Sequence, residues 1–165
     1  MNNGFQLDLW SDYFLASAGV GAALAGLVFV ALSINLARIL RTPGVTGRGA
    51  EALALLVSPA LVGIVGLWPL DDPARVGIAI ALVGAGSWLT VTSIQFLSTR
   101  AASATAFQRG MRLVLGQLGT LPVIAAGVSL VTGVGFGLDF LVLGALSAIV
   151  AGLVGAWVLL VEILR

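Results

Sequence analysis

Five long apolar stretches, separated by short segments that carry most of the charge, run along this chain of 165 residues. A transmembrane helix needs about 20 mainly apolar residues in a row to cross the hydrocarbon core of a bilayer. The pattern predicts five spans, at residues 13–36, 52–70, 76–97, 113–132 and 138–164. The spans use most of the chain, so we expect a single transmembrane domain over residues 1–165, an all-α, polytopic helix bundle.

The second stretch is the shortest of the five and carries Pro59 near its middle. A four-span alternative therefore stays open, in which this stretch enters the bilayer and returns to the same side. Pro122 lies in a similar place in the fourth stretch, and each proline removes a backbone donor and kinks its helix. Membrane helices tolerate proline, so the two kinks favour ordinary bending over a hinge or a ligand site.

Composition supports a membrane setting and narrows the chemistry. The chain is 59% hydrophobic and only 9% charged, whereas soluble domains are about 45–50% apolar and about 25% charged. Cysteine and histidine are both absent, which removes disulfides, thiolate nucleophiles and nearly all zinc chemistry. We therefore expect no enzyme and no cofactor, and the net charge of +1 indicates no nucleic-acid partner.

The arginines predict the orientation of the spans. Seven of the eight fall in the first connection, the third connection or the C-terminus, namely Arg38, Arg41, Arg48, Arg100, Arg109, Arg112 and Arg165. Short connections rich in arginine stay in the cytoplasm, so we expect the N-terminus outside and the C-terminus inside. Because the chain lacks lysine and is rich in alanine and glycine, we place it in a bacterial cytoplasmic membrane.

Small residues form stripes on both terminal spans. Helices in lipid associate largely through close packing of such residues. The fifth span carries Gly144, Ala148, Gly152 and Ala156 at a spacing of four. The first span carries Ser17, Gly21 and Ala25, flanked by Gly19, Ala23 and Gly26. Packing within one chain is the favoured explanation for either stripe alone, and a homo-oligomer interface is the alternative.

Polar side chains inside the spans gather toward the predicted cytoplasmic side. They are Asn35, Glu51, Gln95, Gln117 and Glu162. Ionisable groups within spans are costly and usually face the bundle interior or water. Glu162, in the last turn of the last span, is the strongest candidate. The simpler alternatives are an interfacial role for Glu162, a favourable helix-dipole position for Glu51 and helix-to-helix hydrogen bonds for the amides.

The segment DYFLASAGVGAALAGLVFVALSINLARI (12–39) and the ending AWVLLVEILR resemble small polytopic membrane proteins of actinobacterial type. The resemblance implies location and topology and transfers no active site.

Two hypotheses for function follow from these patterns. The first is a non-enzymatic membrane component that works by self-association or by contact with another membrane protein, surrounded by membrane lipid. The second is a small oligomeric ion channel or transporter, with an acidic outer mouth and the polar cluster on its cytoplasmic side. The mouth would consist of Asp8, Asp12, Asp71, Asp72 and Asp139.

Overall fold

The structure is a computed structural model that describes residues 7–41, 45–69, 72–98, 106–134 and 137–164, with the backbone alone at Leu7, Asp8, Gln108 and 162–164. Over these ranges the chain is helical and contains no strand. A short 3₁₀ helix, Leu7–Trp10, leads into six α-helices. They are α1 (Ser11–Ile34), α2 (Leu36–Ile39), α3 (Val45–Gly66), α4 (Pro73–Ser98), α5 (Ala106–Thr132) and α6 (Asp139–Leu164). All but α2 are long and apolar enough to cross a membrane, which confirms the predicted all-α bundle with five spans.

Two helices begin earlier than the sequence pattern predicts. The helix α3 starts at Val45 rather than near Ala52, and α5 starts at Ala106 rather than near Leu113. The added turns contain arginines and Glu51. These charged residues do not belong to an apolar stretch, so the sequence pattern excluded them, but they can still be part of a helix. The helix α3 also continues through Pro59, and its 22 residues reach about 33 Å at 1.5 Å per residue, long enough to cross the hydrocarbon core.

The helix α3 lies at the centre of the bundle. It packs against α1, α4 and α6, while α5 packs against α4 and α6 on the other side. Within an apolar stretch of 18 residues in each span, 56% of the α3 residues are buried, compared with 22% in α1 and 22% in α4. The bundle is therefore a four-helix group, α3 to α6, with α1 attached mainly to the outer side of α3.

Successive long helices run in opposite directions. Consequently α1, α4 and α6 end where α3 and α5 begin, and we call this the arginine-rich end because Arg38, Arg48, Arg109 and Arg112 lie there. At the opposite end, Phe14, Val62, Ile80 and Leu141 belong to one buried apolar cluster. There the Tyr13 hydroxyl of α1 donates a hydrogen bond to the Leu141 carbonyl of α6 at 2.7 Å.

Glycines allow the helix backbones to approach closely at two seams. A Cβ added to Gly21 of α1 would lie 2.7 Å from the backbone nitrogen of Ala60 in α3. A Cβ added to Gly127 of α5 would lie 2.5 Å from the backbone nitrogen of Ala81 in α4. Backbone atoms cannot rotate out of the way, so these two positions require glycine for the helices to pack as they do.

Candidate functional site: a buried charged cluster and an open helix face

A charged cluster joins three helices near the arginine-rich end. Glu51 on α3 forms an ion pair with Arg112 on α5, and the Arg112 Nε donates a hydrogen bond to Glu51 Oε2. From α4, Gln95 Nε2 donates to Glu51 Oε1 at 2.6 Å and to the Arg112 carbonyl at 3.1 Å. Glu51 is 6% exposed and Gln95 1% exposed, whereas the Arg112 side chain keeps 23% of its surface. The Arg112 side chain is thus the most exposed member of the cluster.

Local sequence explains how the cluster fits between the helices. Gly116 lies one turn after Arg112 on α5, and a Cβ there would collide with Gln95 Nε2. The amide orientation is set by the network, because Nε2 faces two acceptors and a flipped amide would place an oxygen against both. As a result, Gln95 Oε1 is buried without a hydrogen-bond partner.

The guanidinium also has one incompletely satisfied nitrogen. Arg112 Nη2 lies within ion-pair distance of Glu51 Oε2, yet it is buried and forms no hydrogen bond of acceptable geometry. The ion pair does not depend on this bond, since the attraction between the two charges depends on distance and only weakly on angle. In this cluster the charge of Arg112 neutralises the carboxylate of Glu51, and the contacts hold α3, α4 and α5 together.

The other predicted polar residues lie outside this cluster. Gln117 accepts a hydrogen bond from Trp88 Nε1 at 2.6 Å and donates one to Thr92 Oγ1 at 3.3 Å, which joins α5 to α4. Asn35 donates to the carbonyl of Ala31 within its own turn at 2.9 Å. The side chain of Glu162 lies outside the described residues. Of the five predicted members, the structure therefore brings Glu51 and Gln95 together, with Arg112 as the counter-ion.

Sequence reasoning missed two other polar features of the interior. Trp88 and Thr92 are the partners of Gln117, and their spacing of four on α4 was the available signal. Ser58 is 1% exposed and its hydroxyl has no hydrogen-bond partner. It lies seven residues after Glu51 and so on the same face of α3.

The small-residue stripe of α6 is used inside the chain. Gly144, Ala148, Gly152 and Ala156 are all buried. A Cβ on Gly152 would lie 2.7 Å from Leu56 Cγ of α3, and the Cα of Ala148 lies 3.1 Å from a Cβ added to Gly119 of α5. This stripe therefore contributes to the seams of α6 with α3 and α5.

The flanking residues of α1 have a different environment. The buried face of α1 consists of Phe14, Ser17, Gly21, Ala25 and Val28, which pack mainly against α3. Gly19, Ala23 and Gly26 are exposed. Among the described residues, and apart from the adjoining backbone of α1, no heavy atom lies within 4 Å of a Cβ added to either glycine. We call the exposed surface formed by Ala16, Gly19, Ala23 and Gly26 the open face of α1.

Acidic residues at the opposite end form local interactions. Asp72 accepts a hydrogen bond from the backbone nitrogen of Ala74 at 3.0 Å and lies 3.7 Å from Arg75 Nε in an exposed pair. Asp12 and Asp139 are exposed in the first turns of α1 and α6, where the helix dipole favours an acid. Asp71 and the side chain of Asp8 lie outside the described residues. Within the described residues, no group of three or more His, Cys, Asp or Glu side chains could hold a metal ion.

In comparisons with known proteins, no family model, curated protein or solved structure matches this chain. The chain is a multi-pass membrane helix bundle with a buried charged cluster at one end and an open small-residue face on its first span.

Proposed function

We propose that this chain is a non-enzymatic component of a bacterial cytoplasmic membrane, with its arginine-rich end in the cytoplasm, that acts by helix-to-helix contact. The contact surface is the open face of α1, and the first partner to test is a second copy of the chain. The observation that carries this proposal is the empty space around Gly19 and Gly26 on an exposed helix.

Energetics support a role for these glycines outside the chain. A glycine in a helix costs about 1 kcal/mol relative to alanine. At Gly21 that cost is accompanied by close packing of α1 on α3. Gly19 and Gly26 bring no such packing within the chain, and in lipid small residues promote association because they let another helix approach closely.

The open face of α1 differs from an isolated exposed glycine. Gly86 on α4 also has no heavy atom within 4 Å of an added Cβ. However, it lies between Leu82 and Leu89, which are 68% and 57% exposed. Large exposed side chains therefore flank Gly86 on both sides. On α1 the exposed Leu15 and Val30 lie only at the two ends, and Ala22 and Ala23 lie between Gly19 and Gly26, so Gly86 provides a matched control outside a small-residue groove.

Replacing Gly19 and Gly26 together by leucine is expected to weaken self-association at least about tenfold, which corresponds to about 1.4 kcal/mol. A Cβ added at either position has no contact within 4 Å among the described residues outside its own helix, and both positions are exposed, so the fold should persist while a second helix is kept away. Energy transfer between donor-labelled and acceptor-labelled copies in liposomes, over a range of protein-to-lipid ratios, measures the association constant.

Gly86→Leu is the control and should associate as the natural chain does. A natural chain that is monomeric at every ratio would contradict self-association and leave another membrane protein as the partner. Equal association of all three proteins would exclude the open face of α1 as the contact between copies.

A second candidate, a small channel or transporter, is favoured by the buried pair of Glu51 and Arg112. Ionisable groups inside membrane spans commonly mark ion or substrate paths. On this hypothesis, Glu51→Gln should lower ion or proton flux in proteoliposomes at least about tenfold, since one charged hydrogen-bonded group is lost. Helix content, measured on the same samples, separates this loss of flux from a loss of folded protein. Absence of flux in the natural chain under proton, sodium and potassium gradients would reject this candidate.

A further inference from the structure

A small cavity lies inside the bundle between α1, α3, α5 and α6. Its walls include three hydroxyl-bearing side chains, Tyr13, Ser17 and Ser58, together with Pro59 and the glycines Gly119 and Gly144. It has room for about one water molecule. Ser58 lies about 12 Å along α3 from the helix end at Gly66, so this cavity is deep in the membrane-spanning region.

The Ser58 hydroxyl behaves differently from other hydroxyls in these helices. Serine and threonine in helices often donate to the carbonyl four residues earlier. In the part of the chain that the structure describes, this bond is formed at distances between 2.7 and 3.0 Å by Ser33, Thr90, Ser98, Thr120 and Thr132. Ser58 does not form it, although it is 1% exposed, and its oxygen has no hydrogen-bond partner among the described residues. A buried hydroxyl left without a partner is costly, which indicates that something else occupies the cavity.

We infer that this cavity is a binding site for a single water molecule held by Ser58. The hydroxyl hydrogens of Tyr13 and Ser17 are already directed to the carbonyls of Leu141 and Pro59, at 2.7 and 3.0 Å. Both oxygens keep lone pairs that can accept. The water accepts a hydrogen bond from Ser58 and donates to Tyr13 and Ser17, and three partners is the usual number for a buried water.

The two prolines of the membrane spans are beside this site. Pro59 lines the cavity, and Pro122 of α5 is next to Val123, which also lines it. Each proline leaves the carbonyl four residues earlier without its helical donor, so both helices depart from regular hydrogen bonding near this site. This site requires neither self-association nor ion flux, and it therefore goes beyond both functions considered above.

The sign of the stability change in Ser58→Ala tests the proposal. If the cavity is dry, removing an unpartnered hydroxyl leaves the protein as stable or makes it more stable. If a water is bound, the unfolding equilibrium constant of the full-length protein in mixed micelles should rise about two- to tenfold. Ser33→Ala, which alters an exposed hydroxyl on α1, should change it less than about twofold. An unchanged or lower constant for Ser58→Ala overturns the proposal.

A double-mutant cycle tests whether Tyr13 and Ser58 act through the cavity that they share. They form no direct hydrogen bond to each other, so a water held between them is expected to couple their effects. The combined effect of Tyr13→Phe and Ser58→Ala on the unfolding constant should differ from the product of the single effects by at least about threefold. Effects that multiply within about twofold would show that Ser58 and Tyr13 are independent and would overturn the proposal.

Discussion

Replacing Arg112 by alanine is expected to destabilise the folded bundle by about 3 kcal/mol. The change removes the counter-ion of Glu51, which is 6% exposed, and an uncompensated buried charge costs about 3–5 kcal/mol. We take the lower end of this range because the Arg112 side chain is 23% exposed, so the pair is partly screened. Unfolding in mixed micelles of detergent and lipid, followed by helix content, measures the loss.

Two further variants check the reason for this loss. Replacing both Glu51 and Arg112 by leucine removes both charges, and buried pairs replaced by apolar residues often leave stability unchanged or higher. The double variant should therefore be clearly more stable than Arg112→Ala. Arg75→Ala, which breaks the exposed pair with Asp72, should change stability very little. A double variant as unstable as Arg112→Ala would contradict an electrostatic origin.

Replacing Gly127 by alanine is expected to destabilise the protein by about 2 kcal/mol, within the range for overpacked cores. The new Cβ would lie 2.5 Å from the Ala81 nitrogen and 2.6 Å from the Gly77 carbonyl oxygen. These are backbone atoms of α4, so the two helices would have to move apart. The midpoint of thermal unfolding of the purified protein measures the effect.

The matched control is Gly86→Ala on α4, where no heavy atom lies within 4 Å of the added Cβ. Alanine is the better helix former by about 1 kcal/mol, so this variant should be as stable as the natural chain or slightly more stable. Equal unfolding midpoints for Gly127→Ala and Gly86→Ala would show that the close approach of α4 and α5 is not required.

The charged cluster shows how much of the candidate site could be predicted from the sequence. Glu51 and Gln95 were both candidates because a polar side chain inside a span is costly and therefore informative. Their pairing could not be predicted, because Asn35 and Gln117 are also polar residues of the predicted spans. In the structure these two form hydrogen bonds with Ala31 and with Trp88. Which polar groups meet depends on the rotation of each helix about its own axis, and this rotation is set by packing along the whole helix.

Two glycines of α1 show the same difference between what the sequence predicts and what the structure decides. Gly19 and Gly21 are two residues apart on α1 and look alike in the sequence. The structure places Gly21 against the backbone of α3 and leaves Gly19 exposed. Two residues apart, the glycines point in directions that differ by more than half a turn of the helix. If one faces the bundle, the other must therefore face outward. The sequence alone does not say which side has the neighbour.

The sequence by itself determined the number of spans, their approximate places and the charge asymmetry between the two ends. These properties depend on the thickness of the hydrocarbon core and on the cost of placing charge in it, and both act on each segment separately. Only the tertiary structure decided that α3 is central, that Arg112 neutralises Glu51 and that α1 keeps an open face. Those features depend on which helices are neighbours, and that is a property of all five spans packed together.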